Sequence, residues 1–180
     1  GIGGGDKLWA IGRAAHENAV IKSDNMVLYT GADDVTHGFL YKFIPAVAGN
    51  FSSGTLYVLE TTAALGTGTW KLLANSTTAD RNNTRSLSAA AAAYNFNGIE
   101  DVEIGPDGKI YFAAKSLGAV YRFTDNGTFG TGTDITGLEI FVGNSTAGMA
   151  YDIDGAGSLP SEPWGLGNDN LAFDGEGNLW

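Results

Sequence analysis

The sequence predicts an all-β fold of the β-propeller type, built from four-stranded antiparallel blades. Residues 99–123 read as strand, turn and strand, with Pro106-Asp107-Gly108 as the first turn. The same hairpin pattern recurs at residues 17–29 and 169–180, at offsets of 83 and 69 residues. The 27 glycines and the low charged fraction of 17% are typical of short strands joined by tight turns. A strand pair repeated at large spacing is typical of a radial or stacked repeat architecture.

Each complete repeat contains four predicted strands, which is the composition of one propeller blade. The first blade covers residues 18–60, with strands at 19–22, 26–30, 39–44 and 55–60. The second blade covers residues 98–143, with strands at 102–104, 110–114, 120–123 and 138–142. A short strand at residues 7–11 is expected to end a preceding blade, and residues 169–180 are expected to begin a following one.

Two insertions separate the blades. In the first, residues 61–97, the segment 70–73 is expected to pack back on the blade. Asn83-Thr84 and the five alanines at 89–93 then predict a short helix, which Asn97-Gly98 ends. The second insertion covers residues 144–168. Loops this long usually cover or build a site in a compact domain.

Composition excludes several classes of function. The formal net charge of −10 argues against a nucleic-acid partner and makes cations natural ligands. The absence of cysteine excludes a disulfide framework, a thiolate metal site and a cysteine nucleophile within these residues. No apolar stretch approaches the length of a membrane span, and the first residues do not resemble an intact signal peptide.

Two complete and two partial blades do not close a ring, because propellers need about 4 to 8 blades. The chain also stops at Trp180, inside a predicted strand. We therefore expect the remaining blades to come from residues outside this sequence, and the isolated fragment to fold poorly. The alternative, an independent β-sandwich, accounts for the number of strands but not for the repeated placement of acidic residues.

An acidic residue precedes the first strand of every repeat: Glu17, Glu100 and Asp169. In a propeller the first strand of a blade is the innermost, so these carboxylates should converge at the rim of the central channel. Converging carboxylates repel one another unless a cation bridges them, and hard cations such as calcium bind several oxygen atoms. The next residue in each repeat offers further oxygen atoms. The predicted metal ligands are Glu17, Glu100, Asp169 and Asn170, with Asn18 and Asp101 at the equivalent following positions.

The competing interpretation is that these acids are solvated residues at loop-to-strand junctions. Asp33, Asp34 and His37 are predicted to lie on a surface loop between strands. His16 is predicted to be structural, because a lone histidine at a strand entrance is more often structural than a metal ligand. The sequence assigns no catalytic residue and no organic cofactor.

Several ordered segments resemble the PhoX alkaline phosphatases. They are Gly12-Arg13-Ala14-Ala15-His16-Glu17, the segment from Gly38 to Pro45, Gly54-Thr55-Leu56-Tyr57-Val58, Glu100-Asp101-Val102-Glu103 and Asp169-Asn170-Leu171-Ala172-Phe173. The resemblance implies a secreted or periplasmic propeller enzyme that uses calcium and iron to hydrolyse small-molecule phosphate monoesters. It also implies that Glu17 and Glu100 supply metal-binding carboxylates. The family's Arg-Pro before the second glutamate reads Gly98-Ile99 here.

Three classes of function therefore stay open. The first is a metal-dependent phosphomonoesterase of the PhoX type. The second is a calcium-centred propeller hydrolase of the lactonase type. The third is a non-catalytic extracellular binding module that uses calcium for stability.

Overall fold

A computed structural model describes residues 7–63, 65–143 and 168–180 and has an all-β architecture. Its strands are β1 (His16–Ile21), β2 (Leu28–Ala32), β3 (Leu40–Val47), β4 (Asn50–Glu60), β5 (Gly66–Leu73), β6 (Ile99–Ile104), β7 (Ile110–Ala114), β8 (Ala119–Asp125) and β9 (Ile135–Gly143). The helices are α1 (Thr78–Asn82) and α2 (Thr84–Ala90), with 3₁₀ turns at Trp9–Ile11 and Lys115–Leu117.

The strands form two propeller blades of antiparallel neighbours. The first blade runs β1-β2-β3-β4, with β5 added at its outer edge, and the second runs β6-β7-β8-β9. The predicted fold class is confirmed. Segment 70–73 returns to the blade as expected, since it belongs to β5 and pairs with β4. The division of the chain into blades and insertions stays a prediction, and residues 144–167 of the second insertion lie outside the described residues.

The main hydrophobic core lies between the two blades. Strand β7 illustrates why, because its side chains alternate between two faces. Ile110 and Phe112 point toward the first blade and join a core that contains Tyr29, Leu40 and Trp70, all nearly inaccessible to solvent. This core is completed by aromatic and aliphatic side chains of β8 and β9, namely Tyr121, Phe123, Ile135 and Leu138. The blades therefore pack face to face.

The two other faces have cores of their own. On the first blade, Tyr41 and Phe43 of β3 pack with Leu56 and Val58 of β4, and the α2 region covers them through Leu87. On the second blade, Tyr111 and Ala113 pack against Leu171 of the last hairpin. That hairpin closes through a bridge between Phe173 and Leu179. The predicted third repeat thus packs on the outer face of the second blade.

The innermost strands β1 and β6 contact each other without sharing a hydrogen-bonded ladder, as the propeller prediction requires. At the outer edge, however, the two blades are not separate sheets. Strand β5 pairs with β9 at Gly66 and Gly68, so the two blades share one short ladder. A Cβ atom at Gly68 would lie 2.9 Å from Glu60 O and 3.1 Å from Ile135 Cγ1, so only glycine fits this close approach without displacing its neighbours.

Two predicted elements were wrong. The segment 7–11 was predicted as a strand, but its residues Trp9–Ile11 form a 3₁₀ turn that is followed by Gly12, where φ is +82°. A short apolar run of four residues after Lys7 does not distinguish a strand from one turn that buries Ala10 and Ile11. The segment 45–54 was left between the predicted strands 39–44 and 55–60, but β3 and β4 continue through it as a long hairpin around Gly49. Pro45 is tolerated there because a bulge follows it.

The predicted helix is present but shorter than expected. It ends at Ala90, and Ala92 adopts a left-handed φ of +57°. The chain leaves the helix here because Ala91 and Ala93 pack against the outer core of the first blade. Helix α1, which the sequence analysis did not predict, begins with a capping box between Thr77 and Asp80.

Within the part of the chain that the structure describes, every helix is too short to cross a lipid bilayer.

Candidate metal centre

Three carboxylates from the two blades converge at the entrance of the inner strands. We call Glu17, Asp33 and Glu100 the carboxylate cluster. One oxygen atom of each lies within 4.8 Å of those of the other two. Two oxygen atoms bound to a single calcium ion lie at most about 5 Å apart, so these three can share one ion.

Matching backbone irregularities place both glutamates. The register of β1 with β2 shifts between His16 and Ala19, and that of β6 with β7 shifts between Ile99 and Asp101. Glu17 and Glu100 lie inside these two shifts. A bulge re-aims the side chain that it contains and is common next to functional sites. The two blades thus present an acid from the same structural position.

Asp33 completes the cluster from the end of a second strand. It directly follows β2, and its backbone N–H donates to Ala15 O over 2.8 Å. Lys115 holds the equivalent position in the second blade, since it directly follows β7 and its N–H donates to Gly98 O over 3.0 Å. Ala15 and Gly98 are separated by the same 83 residues as the repeats. One blade therefore supplies a carboxylate where the other supplies an ammonium group.

Glu100 is the buried member of the cluster, with only 3% of its side chain exposed. Burial raises the pKa of its carboxyl group, Lys115 lowers it, and the charges of Asp33 and Asp169 raise it further. Among the described residues its Oε1 atom has no hydrogen-bond partner and makes an ion pair with Lys115 Nζ. Lys115 Nζ also lies 4.0 Å from Asp33 Oδ2. A buried carboxylate with so few partners fits a site built for a cation.

The predicted ligands divide into two groups. The structure brings Glu17 and Glu100 together. Asp169 is exposed and outside the group of mutually close oxygen atoms, although it is near enough for its charge to raise the pKa of Glu100. Asn170 is exposed as well. Whether any of these four binds a metal stays a prediction.

Asp101 has a structural role that the sequence analysis did not foresee. Its Oδ1 atom accepts hydrogen bonds from the Asn18 side chain and from Val102 N. Its Oδ2 atom accepts from Leu171 N over 2.7 Å. Asn18 and Asp101, which directly follow the first two repeat acids, and Leu171, two residues after Asp169, therefore form a chain of hydrogen bonds across successive repeats. This chain fixes the relative positions of the acids.

Asp33 and Asp34 lie on the loop between β2 and β3, as predicted, but both are partly buried. Asp33 belongs to the carboxylate cluster, whereas Asp34 binds Arg85 over 2.9 Å and caps the turn at Thr36. Asp33 directly follows β2, and β2 pairs with β1, which contains Glu17. This position is the signal that could have identified Asp33.

His16 is held by structural contacts. Its Nδ1 and Nε2 atoms lie 3.3 Å from Thr30 Oγ1 and Gly12 O, respectively. Burial lowers its pKa, which keeps the ring neutral, and the ring packs edge-on against Tyr41. With both nitrogens engaged, His16 orients the segment before Glu17.

A groove of about 630 Å³ opens beside Glu17. It is lined mainly by apolar atoms of the first 3₁₀ turn and of β1, with polar groups from Arg13, His16 and Asn18. A carboxylate at the edge of an accessible groove can meet a small-molecule ligand.

Comparison with known proteins identifies the family. Neither the curated proteins nor the solved structures contain a match to this chain. A family model described as alkaline phosphatase PhoX matches residues 4–180, which is nearly the whole sequence. Together with the propeller blades and the convergent carboxylates, this match shows that the chain belongs to the PhoX alkaline phosphatase family.

Proposed function

We propose that the protein is a metal-dependent phosphomonoesterase that acts on small-molecule phosphate esters at the carboxylate cluster. The observation that carries the proposal is the approach of three carboxylates from two blades to within 4.8 Å in a chain of the PhoX family. The cluster belongs to an acidic chain with a net charge of −10, which favours cations at its surface.

Calcium is the first cation to test, because it prefers several carboxylate and amide oxygen atoms. Glu17, Asp33 and Glu100 would hold it, and Asp169 and Asn170 lie on the adjoining segment that could add ligands. Ferric iron, which the family resemblance implies, is the second. A cation here would polarise a phosphoryl oxygen and lower the pKa of a bound water.

The protein's own residues provide the setting for this chemistry. The two bulges aim Glu17 and Glu100 at a common point, and Asp101 keeps the repeats in register. The groove beside Glu17 gives a substrate access to the cluster. We also propose a secreted or periplasmic location, which the resemblance to this family supports.

The test uses the full-length protein, with Glu100→Gln as the variant and Glu176→Gln as the matched control. Glu176 is exposed in the turn of the last hairpin. Calcium affinity is measured by isothermal titration calorimetry, and hydrolysis with a chromogenic phosphate monoester. We expect Glu100→Gln to weaken calcium binding by about tenfold or more and to reduce hydrolysis, because it removes a ligand charge. The control should match the wild type.

The other outcomes separate the alternatives. Equal calcium affinity in Glu100→Gln and wild type would reject the carboxylate cluster as the metal site. Calcium-dependent stability without ester hydrolysis would leave a binding module. Hydrolysis of lactones in place of phosphate esters would favour the lactonase-type enzyme.

A further inference from the structure

Lys115 is the cation that contacts the carboxylate cluster. Its Nζ atom pairs with Glu100 Oε1 and lies 4.0 Å from Asp33 Oδ2. Among the described residues no other lysine or arginine forms an ion pair with a member of the cluster. The ammonium group therefore supplies positive charge at a place where a metal cation would also be attracted.

The repeat relation shows that this placement is set by the backbone. Asp33 and Lys115 directly follow the equivalent strands β2 and β7. Each donates its backbone N–H to the carbonyl oxygen of the residue just before the inner strand of its own blade. An acid at both positions would put a fourth carboxylate beside Glu17, Asp33 and Glu100, at a considerable electrostatic cost. The second blade instead carries a lysine, so the site combines three negative groups with one positive group.

A divalent cation and Lys115 would compete for the same carboxylate group, that of Glu100. Glu100 is almost fully buried, and within the described ranges its Oε1 atom has only the ammonium group of Lys115 as partner. A cation shared by the three carboxylates would bind the Glu100 carboxylate and repel Lys115. The lysine side chain is 44% exposed on a flexible stem, whereas its backbone is fixed to Gly98 O. The displaced ammonium group would stay beside the cluster and face solvent.

We propose that Lys115 neutralises Glu100 while the cluster is free of metal, and binds a phosphoryl oxygen of the substrate once a divalent cation occupies the cluster. This inference rests on the proposed phosphatase function. A lysine ammonium group is a compact point charge that suits the oxygen atoms of a phosphate group. The exchange involves no covalent step, since Lys115 changes one anionic partner for another.

The first experiment tests the proposed role of Lys115 in the metal-free protein and does not depend on catalysis. Thermal unfolding midpoints are measured in the presence of a chelator for wild type, Lys115→Met, Glu100→Gln and the double variant. We expect Lys115→Met to lower the midpoint, because it leaves the buried Glu100 carboxylate without its partner. In the Glu100→Gln background the same substitution should have little effect. Equal effects in both backgrounds would overturn the ion-pair role.

The second experiment tests the exchange by calorimetric titration. Calcium is titrated into the metal-free proteins, and inorganic phosphate into the calcium-loaded proteins. We expect Lys115→Met to bind calcium several-fold more tightly, because the competing ammonium group is gone, and to bind phosphate about tenfold more weakly. Lys115→Arg should retain phosphate binding. Lys109→Met, which removes a lysine paired with Asp107 in an exposed turn, should match the wild type in both titrations.

The outcomes keep this proposal distinct from the proposed function. Unchanged phosphate affinity in Lys115→Met overturns the substrate-binding role, whatever the activity. A wild type that binds calcium and phosphate but hydrolyses no monoester rejects the phosphatase, and Lys115 is then judged by the two titrations alone. A wild type that binds neither calcium nor phosphate overturns both proposals.

Discussion

Asp134 is a buried carboxylate that serves stability at the seam between the blades. It accepts hydrogen bonds from Trp70 N of β5 and from Gly130 N and Thr131 N of the β8-β9 loop. Burial alone would raise its pKa, but these hydrogen bonds, with that of the Thr131 hydroxyl, outweigh the burial and lower the pKa to about 2. The ionised form is therefore a fixed part of the fold.

We predict that Asp134→Asn lowers the free energy of unfolding at pH 7 by about 1–3 kcal/mol, because a neutral amide replaces a multiply bonded carboxylate. The folded pKa of about 2 is below the unfolded value of 3.8. The stabilisation is thus present above pH 4 and is lost as the pH falls from about 4 to about 2. Urea unfolding between pH 7 and 2.5 should show the two proteins converging at low pH. A constant difference would contradict this assignment.

At the scale of a side chain, part of the candidate site could be predicted from the sequence. Glu17 and Glu100 were found because each precedes a strand in a repeated hairpin, which is a local pattern. Asp33 and Lys115 were missed, because their proximity to the acids depends on which residue pairs with which across two strands. The bulges at Glu17 and Glu100 decide that pairing, and no residue type in the sequence marks them.

At the scale of secondary-structure elements, hairpins with short turns were predicted well. Strand β7 was predicted with its observed bounds, since Pro106-Asp107-Gly108 and a run of β-branched and aromatic residues define it locally. The hairpin at 45–54 was not predicted, because Pro45 and Gly54 read as turn residues. In the structure Pro45 pairs with Gly54, and a Cβ at Gly54 would approach Ile44 O to 2.3 Å. Gly54 is therefore needed for the close packing of β3 against β4 and does not mark a turn.

The approach of β2 to the start of β6 links packing to the candidate site. A Cβ atom added at Gly31 would lie 2.2 Å from Ile99 Cγ2. Gly31 is two residues before Asp33, and Ile99 directly precedes Glu100. Any group larger than hydrogen at Gly31 must therefore move the strand ends that carry two of the three carboxylates.

We predict that Gly31→Ala destabilises the protein by about 1–3 kcal/mol through overpacking and also weakens calcium binding, because Asp33 and Glu100 are pushed apart. Urea unfolding and calcium titration measure the two effects. Gly175→Ala is the matched control, since nothing lies within 4 Å of the added methyl group there. Full calcium affinity in Gly31→Ala would show that the cluster tolerates movement of β2.

At the scale of the whole molecule, the shared core makes the two blades one cooperative unit. Phe112 of the second blade is inaccessible to solvent and packs with Phe96 and Tyr121, in the same core as Tyr29 and Trp70 of the first blade. A buried ion pair reinforces the contact, as Lys42 Nζ of β3 lies 2.7 Å from Asp125 Oδ2 of β8. A cavity made in the shared core by a substitution in one blade should therefore destabilise both blades.

We predict that Phe112→Ala lowers the global stability by about 3–5 kcal/mol and does so in both blades. Native-state hydrogen exchange measures this directly, with amides of β2 reporting on the first blade and amides of β7 on the second. Both sets should lose the same free energy of protection. Leu72→Ala, at a side chain that is 66% exposed, is the control. A loss confined to β7 would mean that the blades unfold independently.

The ladder between β5 and β9 has a consequence for synthesis on the ribosome. About seventy residues separate its two sides, so at roughly 5–20 residues per second the edge of β5 waits for several seconds before β9 emerges. A waiting sheet edge is a template for pairing with other nascent chains. The part of β5 that waits is Gly66-Thr67-Gly68-Thr69, in which glycine alternates with threonine. Such a segment offers little apolar surface, and its two glycines weaken the preference for strands that threonine confers, so the edge that closes last is also poorly suited to aggregation.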